Sequence, residues 1–365
     1  MPRLPVPPTP LRDEPSNRLG LDFAAEALGL PSLGFGIVDI HAHINGLEAS
    51  ALWEPIAHAY GVERTMSMSR LEDIPALRER FGSRLEFIAV PDWHSTDRRE
   101  AHGAGYLGRL EGYRELGTRV AKFWNAPRVI EFGRDAGDPD LLALDGPVRR
   151  EQIRLAEKLG MICMTHVADP DTWFATKYSD HSIYGRKREH HMRLRRVLDA
   201  STVPWIAAHM GGSPEDLAFL DTMLDAHPNL YLDTSATKWM VRELGRHSRD
   251  EIVGFLEKWR GRIMFGTDTV TTDEHLRDGA KSSEMALKAT SRESAFDLYA
   301  SRYWALRMMW EADGETVSPI SDPDLAMVDP SRFGPLDSPV LRGLRLPPDL
   351  LRVLYRDAAI ALFGD

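Results

Sequence analysis

The run Ile37-Val38-Asp39-Ile40-His41-Ala42-His43-Ile44-Asn45-Gly46 decides how the rest of the chain is read. Ile37 to Ile40 follow Gly36, precede a polar turn and are apolar apart from Asp39, the pattern of a buried strand. That strand ends in His41 and His43. Residues i and i+2 of a strand point to the same face. Both imidazoles therefore leave one face, one pleat apart, at the strand's C-terminal end. Neutral imidazole nitrogen suits zinc and related cations. A bare His-x-His is equally compatible with two polar residues at a strand exit, so the later strands must decide.

From Gly36 onward apolar runs and helical patterns alternate. Strand candidates fall at 36–43, 62–68, 85–91, 117–124, 160–167, 203–210, 229–234 and 262–268. Helical patterns fall between most of them, at 47–60, 71–81, 104–116, 146–159, 185–200, 214–226 and 239–260. Alternation of this kind argues for a parallel sheet. Eight units predict an α/β protein built as a (β/α)8 TIM barrel. An open doubly wound sheet has a glycine-rich first turn, whereas the first turn here is His-Ala-His. Gly103-Ala-Gly105-Tyr-Leu-Gly108 matches G-x-G-x-x-G, but a charged stretch precedes it where the dinucleotide fingerprint requires a strand. We read it as helix entry.

The strand ends carry the chemistry. Lys122 ends the fourth candidate, His166 the fifth, His209 the sixth and Asp268 the eighth. In a parallel barrel all C-terminal strand ends share one rim, which holds the active site. His41, His43, Lys122, His166, His209 and Asp268 are thus expected to converge. Such a cluster of buried charge is costly unless paired, and a divalent cation offsets that cost. A lone strand-end His is more often a satisfied hydrogen-bonding group; four with an Asp at matching ends are not. Lys122 is either a cation orienting a substrate carboxylate or a carboxylated bridge between two metals. His58, His102, His227 and His247 fall in helix or turn patterns and read as surface residues. His94 follows the third strand, within reach of the pocket. His190 and His191 sit on a basic helix that reads as a solvated face.

Composition excludes several classes. The chain has 365 residues, is 43% hydrophobic and carries a net charge of −10, with a pI near 5.7. That balance argues against nonspecific nucleic-acid binding. One cysteine, Cys163, excludes an intrachain disulfide framework and fits a reducing cytoplasm. No apolar run reaches the length of a membrane span, and the Pro-rich N-terminus lacks the apolar core of a signal peptide.

The motifs Asp39-Ile40-His41-Ala42-His43, Gly117 to Lys122, Thr165-His166, Ala208-His209-Met210-Gly211-Gly212, Phe265-Gly266-Thr267-Asp268 and the terminal Leu354 to Gly364 together resemble the amidohydrolase superfamily of metal-dependent hydrolases. The likeness is to its amidohydrolase 2 branch, which also holds aminocarboxymuconate-semialdehyde decarboxylase and related nonoxidative decarboxylases. It covers about residues 36 to 270 plus the last helix. The resemblance implies that His41, His43, His166 and Asp268 hold one divalent metal per chain, zinc first and manganese second. It implies that His209 orients or deprotonates the metal's water, and that Lys122 is uncarboxylated. A bound cation lowers the pKa of its water to about 7 and polarises a carbonyl. Asp268 is then placed to pass the water's proton to the leaving group. Trp93, Trp124, Trp173, Phe174 and Tyr178 follow strands three to five and line an aromatic substrate pocket or cap the core. Asp169 to Asp180 reads as a lid. The expected activity is hydrolysis of an amide, ester or lactone of a small molecule. The alternative is nonoxidative decarboxylation of an aromatic or unsaturated carboxylic acid. A third class, a metal-dependent scaffold without catalysis, would leave the cluster closed to solvent.

Residues 1–35 read as a Pro-rich strap with a short helix at Asp22 to Leu28, and 36–365 as the barrel with a C-terminal extension over about 275–365. In that extension Ser283 to Glu311 reads as helix, 313 to 348 as a long ordered loop, and Pro348 to Phe363 as a last amphipathic helix. Trp304, Leu306, Met308, Met309 and Trp310 make the first of these helices more apolar than a surface helix needs. They bury either a homodimer interface or the helix's own packing against the barrel.

Overall fold

The computed structural model describes residues 2–364. The chain divides into two compact units. The first comprises residues 1–66, 76–85 and 234–365, and the second comprises 67–75 and 86–233.

In chain order the strands are β1 (Ile37–Ile44), β2 (Val62–Ser67), β3 (Leu85–Ala89), β4 (Val120–Trp124), β5 (Ile162–His166), β6 (Trp205–Ala207), β7 (Leu230–Asp233), β8 (Ile263–Met264) and β9 (Thr269–Thr271). Sequential strand order with helices between successive strands is the topology of a (β/α)8 barrel, as the alternation of the sequence predicts. In the second unit β3 to β7 pair in chain order, all parallel, and the β4–β5 register runs from Val120 opposite Ile162 to Trp124 opposite His166. In the first unit β1 pairs in parallel with β9, Ala42 opposite Thr269. Further along β1, the Ile40 N–H donates to Phe265 O at 3.0 Å.

Of the strand expected at 262–268 only β8 forms, and a further strand, β9, follows just beyond it. Asp268 takes φ +58°, outside the β region. Gly266 approaches so closely that a Cβ there would stand 2.9 Å from His41 Cβ and 3.1 Å from Ser235 Cβ. The helix expected over 239–260 is broken as well, into Thr237–Arg242 and Arg249–Lys258. The second piece starts on a capping box, Ser248 with Glu251. Gly103 and Gly105 do enter a helix, Ala104–Glu115, packed tightly on the carbonyls of Arg99 and Glu100.

The leader is part of the first unit and contacts its C-terminal segments. Asp22 caps the helix Phe23–Gly29. Pro5 O accepts from Thr316 Oγ1 at 2.8 Å, Arg18 N donates to Pro319 O at 2.8 Å, and Trp304 Nε1 donates to Glu26 at 2.9 Å. The helix expected from Ser283 begins later, at Arg292, where Ser291 caps it. The loop expected over 313–348 holds an antiparallel pair, β10 (Asp313–Val317) and β11 (Val340–Leu344). Trp304, Leu306, Met308, Met309 and Trp310 are all buried within the chain, so they pack internally. The large apolar side chains that 283–348 leaves exposed among the described residues are Met285, Leu287, Val328 and Val340. No helix of the described residues is long and apolar enough to cross a membrane.

Candidate metal centre

In the first unit β1 delivers His41 and His43 to one side, with ring centroids 5.9 Å apart. The segment between β8 and β9 brings Asp268 to them. Its Oδ1 lies 3.2 Å from His43 Nε2 and 3.6 Å from His41 Nε2. One ligand atom from each of the three residues falls within 4.8 Å of the others. Two imidazole nitrogens and a carboxylate oxygen at such spacing are a donor set suited to a divalent cation. His41 is buried, while the side chains of His43 and Asp268 are 32% and 29% exposed, so one side of the cluster is open to solvent.

Residues around these three fix their orientation. Ser235 Oγ lies 3.1 Å from His41 Nδ1. When that nitrogen carries the ring proton and donates it to Ser235, Nε2 is left to ligate, the usual outer support of a metal-bound imidazole. Asp39, fully buried, joins β1 to the 266–268 turn. Its carboxylate accepts from the backbone N–H of His41 (3.2 Å) and of Thr267 (3.1 Å), from Thr267 Oγ1 (2.7 Å) and from Tyr303 OH (3.4 Å). Burial first, and then the Asp39 charge, push the Tyr303 hydroxyl well above its ordinary range. The Asp268 N–H donates to His41 O at 2.8 Å, which closes the turn on the strand. Asp39, Ser235 and Thr267 were not among the expected site residues. An acid inside an apolar strand was the available signal for Asp39; small hydroxyls give none.

In the second unit β5 and the end of β6 bring His166 and His209 together, ring centroids 4.7 Å apart and edge to face. His166 Nε2 is 2.7 Å from Asp169 Oδ1, and Tyr178 OH donates to Asp169 Oδ2 at 2.7 Å. The expected lid at 169–180 is therefore pinned at Asp169 and Tyr178, both buried. His209 N donates to Asp233 Oδ1 at 2.8 Å. His209, Met210, Gly211 and Gly212 all have positive φ, at 58°, 52°, 62° and 71°. A Cβ on Gly212 would stand 2.0 Å from Ala168 O, so the second glycine is dictated by close approach. Lys122 is buried on β4, opposite Met164.

The aromatic residues form two groups in this unit. Trp93 meets Trp124 edge to face at 5.6 Å, and Trp124 meets Phe132 at 5.2 Å. Trp173 stands against Tyr178 at 5.7 Å and under the Lys177 ammonium at 3.5 Å. Three histidines expected at the surface are buried: His102, His191 and His227. Desolvation lowers His102 to about 3 and His191 to about 4. His191 spans Lys187 O and Gly211 O at 3.1 and 2.9 Å, a structural role beneath the His209 turn. His58 and His94 are exposed, and His190 and His247 are half-buried.

A barrel with His-x-His on its first strand and an Asp after its eighth defines a metal-dependent enzyme of the amidohydrolase superfamily. A family model described as amidohydrolase (Amidohydro_2) matches residues 77–364, and the chain belongs to this family, the amidohydrolase 2 branch. The match begins beyond His41 and His43. Among solved structures the chain is similar to a probable 2-pyrone-4,6-dicarboxylic acid hydrolase from Acinetobacter baumannii with citric acid bound. Identity is 10% and TM-score 0.47, covering 91% of this chain and 100% of that one. It is also similar to 5-carboxyvanillate decarboxylase from Novosphingobium aromaticivorans, complexed with manganese and 4-hydroxy-3-methoxy-5-nitrobenzoic acid (11%, 0.45, 92% and 97%). A third is an amidohydrolase from Burkholderia multivorans with bound zinc (13%, 0.45, 90% and 99%). At such identities and TM-scores these likenesses carry nothing about reaction or metal. No curated protein matches the chain.

Proposed function

We propose that the protein is a metal-dependent hydrolase that uses a metal-activated water on an amide, ester or lactone of a small molecule. The observation that carries this reading is the cluster of His41, His43 and Asp268, with ligand atoms within 4.8 Å of one another and one side open to solvent. These three residues hold one divalent cation, zinc or manganese. Such a cation brings the pKa of its water to about 7 and polarises a carbonyl. Asp268, half-exposed and held by its own N–H on His41 O, is the group that receives a proton from the attacking water and returns it to the leaving group. His209, its backbone fixed on Asp233, is a second candidate for handling a proton. Lys122, Trp93, Trp124 and Trp173 are the substrate-contacting candidates.

Nonoxidative decarboxylation is the second reading. It needs cations to grip a carboxylate and no attacking water, and the buried Lys122 is one such cation. Metal-loaded protein is incubated with panels of lactones, esters, amides and aromatic carboxylic acids, with acid production and carbon dioxide release recorded separately. Acid release from the first three panels, abolished by chelation, is expected. Carbon dioxide release without hydrolysis at any carbonyl would replace the first reading by the second. Metal content near one equivalent per chain is expected by plasma emission, and two equivalents would overturn the single-metal assignment.

A further inference from the structure

A cavity of about 300 Å³ lies wholly within the second unit. Its floor is the rim of the sheet. Asn125 and Val167, which directly follow β4 and β5, both line it, and Asn125 N donates to His166 O at 2.8 Å. Val129, Ile130, Leu144 and Ile183 make apolar walls. Asn125, Val129, Leu144 and Val167 are buried, whereas Asp140, His181 and Ser182 are exposed, so the cavity runs from solvent down to the strand ends. An apolar cavity of about 150 Å³ accepts benzene, so this one has room for a substituted ring. Ligand pockets run from about 300 Å³ upward.

The polar groups of the lining narrow what can enter. Arg193 is already held by carboxylates, with Nη1 2.7 Å from Asp145 Oδ1 and Nη2 3.5 Å from Asp140 Oδ1. Glu189 Oε2 accepts from the Arg186 N–H at 2.8 Å, and the Ser182 hydroxyl donates to Asp180 at 2.6 Å. Tyr184 OH donates to Glu131 Oε1 at 2.9 Å. An anionic ligand would have to take Arg193 from two carboxylates while lying beside Asp140 and Glu189. His190 differs. Its Nε2 meets Tyr184 O at 2.8 Å, so that nitrogen carries the proton and Nδ1 keeps its lone pair. Burial lowers the pKa of the ring, which favours this neutral form. The lining therefore offers apolar walls and an imidazole acceptor, the mixture of a site for an uncharged group.

We propose that this cavity holds an uncharged, hydroxyl-bearing hydrocarbon part of the substrate, an alcohol or a phenol whose O–H donates to His190 Nδ1. The inference rests on the reading of the protein as a metal-dependent hydrolase of a small molecule and adds which part of that molecule the segments 125–144 and 181–193 select. Their place beyond β4 and β5 is the one a barrel gives to substrate-selecting loops.

The test uses the full chain, chelator-treated and metal-loaded. Phenol, cyclohexanol, toluene and benzoate are titrated by calorimetry into wild type, Ala143→Phe and His190→Gln, with the thermal midpoint of each preparation recorded. Ala143 lines the cavity and a phenyl group there takes up its room, so the neutral probes are expected to bind about 10-fold more weakly or worse. His190→Gln places an amide N–H where Nε2 was, so Tyr184 O keeps a donor while the Nδ1 acceptor is gone. Wild type is expected to bind phenol about fivefold more tightly than toluene, the worth of one hydrogen bond, and His190→Gln to lose that preference without losing toluene. Benzoate is expected to bind more weakly than phenol. Cyclohexanol equal to phenol assigns a hydroxyl-bearing group of any shape, and phenol alone a flat ring; the same His190 dependence supports the site in both cases. Binding that is equal in chelator-treated protein stands even if the hydrolase reading fails. On a substrate that the metal-loaded protein turns over, competitive inhibition by phenol is expected and ties the cavity to the substrate. No saturable binding of phenol by wild type, unchanged affinity in Ala143→Phe, a phenol preference that survives in His190→Gln, or saturating phenol without effect on turnover would overturn the proposal.

Discussion

Asp39→Ala tests whether the site is organised by the buried acid rather than by its ligands alone. The Asp39 carboxylate accepts four hydrogen bonds and is fully buried. Two of its donors have ready alternatives. Thr267 Oγ1 can turn to Thr269 Oγ1 at 2.9 Å, and the Tyr303 hydroxyl has the Thr267 and Thr269 hydroxyls beside it. The backbone N–H groups of His41 and Thr267 both lose the Asp39 acceptor, and a buried donor that loses its acceptor costs about 1–3 kcal/mol. Two of them give about 2–6 kcal/mol, from which the relief of removing a desolvated carboxylate is subtracted. The expected net loss is about 3 kcal/mol. Thr267 immediately precedes Asp268, so the variant also releases the turn that aims that ligand, and metal affinity should fall about 10- to 100-fold. Urea unfolding of chelator-treated protein, followed by tryptophan fluorescence, reads the first quantity. A competitive chelator titration reads the second. A loss under about 1 kcal/mol with metal affinity within about threefold of wild type would refute the argument. It would mean that Ile40 N to Phe265 O and Asp268 N to His41 O, at 3.0 and 2.8 Å, suffice to hold the strand and turn together.

Three other outcomes are expected. Ser235→Ala removes the oxygen 3.1 Å from His41 Nδ1 and should weaken metal binding about 10- to 100-fold with little change in fold stability, as checked by the same chelator titration. His209→Asn should lower kcat by about 10²- to 10⁴-fold while metal content stays intact, once a substrate is in hand; near-wild-type turnover would leave His209 a structural strand end. Stability should fall in acid through His191, whose folded pKa of about 4 lies below the ordinary 6.5. Above about pH 6.5 the group is neutral in both states and contributes nothing; between 6.5 and 4 only the unfolded state takes the proton. The loss reaches about 3 kcal/mol, and His191→Gln should flatten the slope of unfolding free energy against pH in that window.

What was legible followed from local chemistry. Asp22 before an apolar-periodic run marks a helix start, and a cap stands there. His41, His43 and Asp268, which the fold brings together, were visible because each ends an apolar run. Ser235 and Thr267 were not visible, because a hydroxyl in a strand-end loop is unremarkable until its partner is known. Nor was the β10–β11 pair: Glu315 and Thr316 face Arg342 and Leu341 across a long connection, so no tight turn announces the pairing. Buried His102 and His191 read as surface residues because their helices are polar around them, and His227 because it stands in a turn after the helix Leu217–Ala226. Tertiary packing supplied carbonyl partners that only the fold brings near, as for His191 on Gly211.

Backbone strain marks two of the expected site residues, His209 and Asp268. A non-glycine residue in the left-handed region costs about 1–2 kcal/mol and persists only where its surroundings hold it. His209 and Asp268 both adopt it, each at φ +58°. Each is also held by its own backbone N–H, on Asp233 Oδ1 in one unit and on His41 O in the other, at 2.8 Å in both cases. Glycine would relieve the strain at either position, yet His and Asp stand there, while Gly211 and Gly212 occupy the neighbouring left-handed positions where a side chain has no use or no room. A strand exit kept only for stability would favour glycine or asparagine. Met210, at φ +52° beside His209, shows that strain alone marks no site; at His209 and Asp268 it is the strain together with a titratable side chain that fits a group handling a proton or a cation.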